Sequence, residues 1–146
     1  MKIKKNSKIT RIVAIYLAVV FVLSAVTIFG VSAKVYTWEH TIELASIPGD
    51  SCSVGISMGG TGRMSDSFQS YPTIFNGYTK SVNQARAVHS SGGYSTGWIK
   101  FTLHDNSAGI VTVSYGGTCP SGFYEVRYQN YSDGGCRADS IFSMTY

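Results

Sequence analysis

The stretch from Gly97 to Tyr115 constrains the fold most strongly, because apolar and polar residues alternate along both of its halves. Alternation with a period of two is typical of a β-strand that buries one face. The apolar members are Ile99, Phe101, Leu103, Val111, Val113 and Tyr115. If Asp105 to Gly109 form the loop of a β-hairpin, Leu103 lies opposite Val111 and every apolar residue shares one face. The stretch therefore predicts a half-buried hairpin.

Other segments predict further strands and turns. Trp38 to Met58 predicts another hairpin, with its turn at a Pro-Gly pair. Asn76-Gly77 is the pair that a two-residue hairpin turn prefers. Val82 to His89 fits either a strand or one or two helical turns, and we favour the strand. Gly59 to Ser70 is rich in Gly and Ser and has no clear period, so it predicts a long loop.

The fold class follows from the order of these elements. Tyr124 and Val126 continue the alternation, and pairing them with Tyr115 and Val113 would extend the same apolar face. Strands never alternate with long helical segments, which argues against a parallel sheet. We therefore predict an all-β fold, an antiparallel meander that forms a small β-sandwich or barrel.

The first 33 residues differ in composition from the rest and predict a signal peptide. Five cations precede Ile12 to Ala33, a run of 22 residues that has no charge. Val31-Ser32-Ala33 offers the small residues that signal peptidase recognises, so we predict cleavage after Ala33 and a single secreted domain from 34 to 146. The run is longer than an ordinary signal core, so an uncleaved segment that anchors the protein in a membrane is the alternative.

Removal of the signal peptide reverses the net charge. The whole chain has a formal net charge of +4, but residues 34–146 hold seven Lys and Arg against eight Asp and Glu. No basic surplus remains to attract a nucleic acid. A membrane is expected as a partner only if the N-terminal segment is uncleaved.

The three cysteines all lie in the predicted secreted domain, where disulfides persist. We rank a Cys119–Cys136 disulfide narrowly above a bridge from Cys52. A long strand over Phe123 to Tyr131 argues against the first pair, because it would separate the two cysteines by about 30 Å at 3.3 Å per residue. The third thiol would then be buried, linked to another chain or reactive.

No set of residues predicts an active site, a metal site or a bound cofactor. His40, His89 and His104 lack the paired spacing of metal ligands, and His40 falls on the apolar face of its strand. A Cys52 nucleophile with one of the other two histidines as its base is chemically conceivable but less expected in an exported protein. The sequence therefore names no catalytic residue.

Phe75-Asn76-Gly77, an 18-residue gap, Thr96-Gly97-Trp98 and the Asp-x-Ser-x-Gly turn at Asp105 to Gly109 resemble the YolA-like family of small secreted bacterial proteins. The resemblance covers roughly residues 74–115. The cysteines and the segment from Cys119 to Cys136 are not part of that pattern. The function of the family is uncharacterised, so the resemblance implies export and a β fold and transfers no catalytic residue.

Three aromatic residues are the best candidates for ligand contact. Trp98, Phe123 and Tyr131 fall on the strand faces opposite the apolar ones, where they would either form an outer surface or be covered by a second sheet. Exposed rings can stack on sugars or anchor a protein. We therefore expect an exported, non-enzymatic β domain that binds a glycan, a cell-envelope component or a protein partner outside the cell. A secreted antagonistic toxin or bacteriocin-like protein and a secreted hydrolase are the alternatives.

Overall fold

The computed structural model describes residues 33–68, 72–105 and 110–146. These residues form nine β-strands and contain no helix. The strands are β1 Val35–Leu44, β2 Ser51–Met58, β3 Arg63–Phe68, β4 Thr73–Ile74, β5 Lys80–His89, β6 Ile99–His104, β7 Val111–Ser114, β8 Gly122–Asp133 and β9 Cys136–Thr145. Apart from Ala33, the predicted signal peptide lies outside the described residues.

The strands form two antiparallel sheets that enclose one core. Sheet A has the order β1-β9-β3-β7, and β4 pairs with β9 beyond the end of β3. Sheet B has the order β2-β8-β5-β6. The prediction of an all-β, antiparallel sandwich is confirmed. Within the described part of the chain, no helix is long and apolar enough to cross a membrane.

Alternate residues of both sheets point into the core, as the period of two predicts. The largest fully buried side chains are Tyr115, Tyr124, Tyr128, Phe68, Phe142, Ile42, Leu44, Ile56, Met64, Leu103, Val113 and Val126. Phe68 of sheet A stacks on Phe101 of sheet B with ring centroids 4.7 Å apart. The predicted apolar faces of the central stretch are therefore the buried ones.

The predicted hairpins are wrong, and the connectivity is not a meander. β6 belongs to sheet B and β7 to sheet A, and β1 and β2 are divided in the same way. β8 pairs with β2 and β5 instead of β7. Strands in two facing sheets turn their apolar sides to the same core, so the period alone cannot distinguish a facing strand from a paired one. The predicted loop of the central hairpin lies mostly at 106–109, outside the described residues.

Three local predictions have different outcomes. Asn76 and Gly77 form a turn with φ values of +61° and +74°, but β4 pairs with β9, so no hairpin results. Residues 82–89 are a strand, as predicted, within β5. The predicted loop from Gly59 to Ser70 is wrong because it contains β3. Its alternation is hidden by Asp66, a charged residue at a fully buried position.

The three cysteines, all of them among the described residues, are free thiols. The predicted Cys119–Cys136 disulfide is therefore not formed. Cys119 precedes β8, and its backbone pairs with that of Gly62 in an isolated antiparallel β-bridge. Cys136 follows β8 and lies opposite Leu44 in the register of β1 and β9. β8 is a strand of 12 residues, and its length separates the two sulfur atoms.

Candidate ligand-binding face

The outward-pointing residues of sheet B form a half-exposed to exposed surface, here called the sheet B face. It is assembled from β2, β8 and β5 together with the segment that begins just before β6. Its residues are Ser51, Ser53, Gly55, Ser57, Lys80, Val82, Gln84, Arg86, Val88, Trp98, Lys100, Thr102, His104, Phe123, Glu125, Arg127, Gln129 and Tyr131. Trp98, Phe123 and Tyr131 are 39%, 51% and 46% exposed. Their rings are therefore open to a ligand.

Phe123 lies at one end of this face and is held in place by a glycine. A Cβ atom at Gly55 would lie only 2.7 Å from Cζ of Phe123, so the ring packs directly against the neighbouring strand. Only a residue without a side chain leaves room for this contact. One side of the ring is thus braced on the backbone, and half of its surface stays in solvent.

Tyr131 lies towards the other end of β8 and owes its position to a β-bulge. Asn130 pairs with Asn83 and Ser132 with Val82, so Tyr131 is the extra residue of β8. A bulge changes the direction of a side chain, and here Nζ of Lys100 lies 3.5 Å from the centroid of the tyrosine ring. The hydrogen bond and the charge of Lys100 lower the pKa of Tyr131 below its ordinary value.

Trp98 lies between these two residues, on the side of β6, beside a shallow depression of about 340 Å³. The guanidinium carbon of Arg86 lies 4.5 Å from the centroid of its ring, which is cation–π geometry. The depression is lined by Ser51, Cys52, Ser53, Arg86, Trp98, Glu125, Arg127 and Gln129. It is mostly polar, with the tryptophan ring along one side.

The centre of the face holds paired polar groups. Arg127 donates a 2.6 Å hydrogen bond to Glu125, and this bond is the main reason that the pKa of Glu125 is lowered. Gln84 donates a 2.7 Å hydrogen bond to Gln129 on the neighbouring strand. These pairs hold several donors and acceptors in fixed positions between the aromatic rings.

The structure brings all three predicted contact residues onto one face but not into one pocket. Tyr131 follows Phe123 by eight positions along β8, a span of about 26 Å at 3.3 Å per residue. Sequence reasoning missed Arg86, Arg127 and Lys100. The alternation of these three residues with buried ones indicates that they lie on an outer face. Their position beside Trp98 and Tyr131 depends on the strand register, which cannot be derived until it is known which strands pair.

A second polar cluster lies inside the sandwich. The fully buried Asp66 accepts a 2.5 Å hydrogen bond from Tyr128 and another from Ser140. Nε2 of His40 lies 3.5 Å from the same carboxylate and 3.0 Å from the tyrosine oxygen. In a catalytic triad the serine contacts the histidine, whereas Ser140 here donates to the aspartate and is itself buried. The cluster has the composition of a triad without its geometry.

The other candidates for chemistry are separate from one another. His89 hydrogen-bonds Ser91 and the carbonyl of Ser121, and His104 is exposed at the end of β6. Burial raises the pKa of the Cys52 thiol, which does not favour a reactive thiolate. Among residues 33–68, 72–105 and 110–146, no three His, Cys, Asp or Glu side chains are grouped as metal ligands.

No known protein-family model matches the sequence. No curated protein matches it either. The fold is similar to the CBM36-1 domain of a multidomain xylanase from the hindgut metagenome of Trinervitermes trinervoides, with 8% identity, a TM-score of 0.45 and coverage of 75% of this chain and 96% of that one.

A CBM36 carbohydrate-binding module in complex with calcium and xylotriose has 18% identity, a TM-score of 0.45 and coverage of 75% and 92%. The VP2 subviral particle of infectious bursal disease virus has 8% identity, a TM-score of 0.38 and coverage of 78% and 33%. Each of these scores is below 0.5, so the function of this chain has to be argued from its own residues.

Proposed function

We propose that the protein is an exported, non-enzymatic β domain that binds a glycan outside the cell through the sheet B face. The observation that supports this function is that Trp98, Phe123 and Tyr131 expose their rings on one face. Each ring is also held in place by a neighbour, which is Arg86 for Trp98, Gly55 for Phe123 and Lys100 for Tyr131. Braced rings lose little conformational entropy when a ligand binds.

The chemistry of the face suits a sugar chain. The apolar side of a sugar ring can stack on an aromatic ring, and its hydroxyl groups need hydrogen-bond partners beside that ring. Gln84 and Gln129 lie between the aromatic residues, and Ser51 and Ser53 line the edge of the depression. Phe123 and Tyr131 lie outside the depression, so contact with all three rings requires an extended ligand.

We also propose that the protein is exported and that it is related to the YolA-like family. A glycan-binding domain of this kind would meet polymeric sugars in the cell envelope or in the surroundings of the cell. The basic start and the uncharged run of 22 residues from Ile12 to Ala33 support export.

The experiment is a co-sedimentation assay of residues 34–146 with a panel of insoluble polysaccharides. Trp98→Ala should weaken binding at least about tenfold, which corresponds to about 1.4 kcal/mol. Trp38→Ala is the matched control, because Trp38 is 45% exposed but lies on β1 of sheet A. Equal losses in the two variants, or no loss in either, would contradict the proposed site.

A further inference from the structure

Two arginines face each other on the sheet B face. Arg86 and Arg127 are directly opposite in the register of β5 and β8, and both line the depression beside Trp98. Residues directly opposite in an antiparallel pair have Cβ atoms about 4.5–5.5 Å apart, and like charges in such positions destabilise a sheet. The arrangement therefore needs a compensating negative charge.

The face itself supplies only part of that charge. Glu125 is the single carboxylate that lines the depression, and it is hydrogen-bonded to Arg127. Within the described residues, no carboxylate lies within ion-pair distance of Arg86, and its guanidinium lies over the ring of Trp98. Lys100 adds a third cation at the next row of the face, where it lies over Tyr131.

The concentration of positive charge is local. Residues 34–146 hold seven Lys and Arg against eight Asp and Glu, yet this face has four cations and one outward-pointing acid. One of the four, Lys80, is paired with Asp133 at 3.6 Å, which leaves Arg86, Lys100 and Arg127 against Glu125. The outward-pointing residues of β1, β9 and β3 in sheet A show the opposite balance, with Glu39, Glu43 and Asp139 against Arg63 and Arg137. The two surfaces of the sandwich therefore differ in sign.

On these grounds, and resting on the proposed function, we infer that the ligand is a glycan with anionic groups and that Arg86 is its main anion contact. A guanidinium forms charge-assisted hydrogen bonds in a planar fork that matches a carboxylate, a sulfate or a phosphate. Because the guanidinium lies over the Trp98 ring, a sugar residue that packs along the exposed edge of the ring can place its anionic group against the arginine. Glu125 is hydrogen-bonded to Arg127, and the charge of Arg86 is only the smallest of the effects that lower the pKa of Glu125, so most of the charge of Arg86 is left for the ligand.

The test is affinity electrophoresis of residues 34–146 in gels that contain matched pairs of polymers. Polygalacturonate is compared with its methyl-esterified form, and dextran sulfate with dextran. We expect stronger retardation by the anionic member, with retardation falling as salt is added. A preference in the first pair identifies a carboxylate, and a preference confined to the second identifies a sulfate; either supports an anionic ligand.

Variants make the test specific. Arg86→Gln should reduce binding to the anionic polymer roughly tenfold, about 1.4 kcal/mol, and should remove most of the preference for the anionic over the neutral polymer. Arg63→Gln, on β3 of sheet A, is the matched control and should have no effect. Glu125→Gln should strengthen anion binding, which a variant that simply unfolds cannot do.

The outcomes separate the two proposals. Equal binding to both members of each pair, with loss in Trp98→Ala, would refute the anionic ligand and keep the glycan-binding face. If Arg63→Gln weakens the retardation as much as Arg86→Gln does, the polymer is attracted by the diffuse charge of the protein. That result would also refute the inference. Absence of binding to every polymer in the gels and in the sedimentation panel would refute both proposals.

Discussion

Replacing Asp66 with alanine would remove the acceptor around which the interior polar cluster is built. The carboxylate is fully buried and accepts hydrogen bonds from Tyr128 and Ser140, and His40 lies 3.5 Å away. In the alanine variant the hydroxyl of Ser140 loses the partner that the structure gives it, and Tyr128 loses its charged acceptor but keeps its contact with His40. The substitution thus tests whether the two sheets are joined by this cluster.

The magnitude follows from the partners that are lost. A buried donor left without an acceptor costs about 1–3 kcal/mol, and removing one member of a buried charged network typically costs about 3–5 kcal/mol. The variant no longer has to desolvate a carboxylate, which offsets part of this cost. We therefore expect Asp66→Ala to lower the free energy of unfolding by about 3–5 kcal/mol, a large share of the 5–15 kcal/mol of an ordinary domain.

Urea unfolding followed by tryptophan fluorescence measures this change, and Trp38 is a suitable probe because its ring centroid lies 6.3 Å from that of His40. Asp66→Asn keeps the shape and one acceptor oxygen, so it should cost less than the alanine variant. Asp139→Ala is the exposed control: it removes the acceptor of Thr41 at the surface and should cost less than about 1 kcal/mol. A loss below about 1 kcal/mol for Asp66→Ala would refute the reasoning.

Three further predictions concern the described domain. Gly122→Ala should cost more than about 2 kcal/mol by urea unfolding, because the new Cβ would lie 2.1 Å from Nε2 of His89 and φ is +138°; Gly93→Ala, at an uncrowded site, should change little. Burial raises the pKa of Tyr115 and Tyr128 in the folded state, so the contribution of these two residues to stability should be fully present below about pH 10 and be lost as the pH rises further and the unfolded tyrosines ionise; an alkaline profile that stays flat above about pH 10 would argue against their burial. Intact mass after alkylation in denaturant without reductant should show three modified thiols, and fewer would indicate a disulfide.

The parts of the fold that depend on period were predictable. Alternation along β6, β7 and β8 correctly identified which side of each strand faces the core, because burial on one face acts on each strand separately. It also placed Trp98, Phe123 and Tyr131 opposite the buried residues. The division into two sheets was not predictable from the same signal, since paired strands and facing strands bury the same side.

Other features depend on contacts that are distant in the sequence. The sequence predicts a loop where β3 lies, because Asp66 interrupts the apolar alternation of that strand. A charged residue is buried only when partners on other strands satisfy it, and those partners are not visible in the local sequence. The bulge at Tyr131 and the contact between Arg86 and Trp98 depend on the register of β5 with its two neighbours. Cys119 and Cys136 are the two cysteines nearest to each other in the sequence, which favours their pairing. The 12 residues of β8 lie between them and keep them apart.

Mapping of amide chemical shifts by NMR tests the central claim most directly, because it locates a ligand without any substitution. Residues 34–146 would be titrated with a soluble oligosaccharide prepared from a polymer that binds in the gels. We predict that the largest shifts fall on Trp98, Lys100, Arg86 and the outward-pointing residues of β8, and that the shifts of β1 and β9 remain unchanged. Shifts that cluster on β1 and β9, or that spread evenly over both sheets, would contradict this prediction.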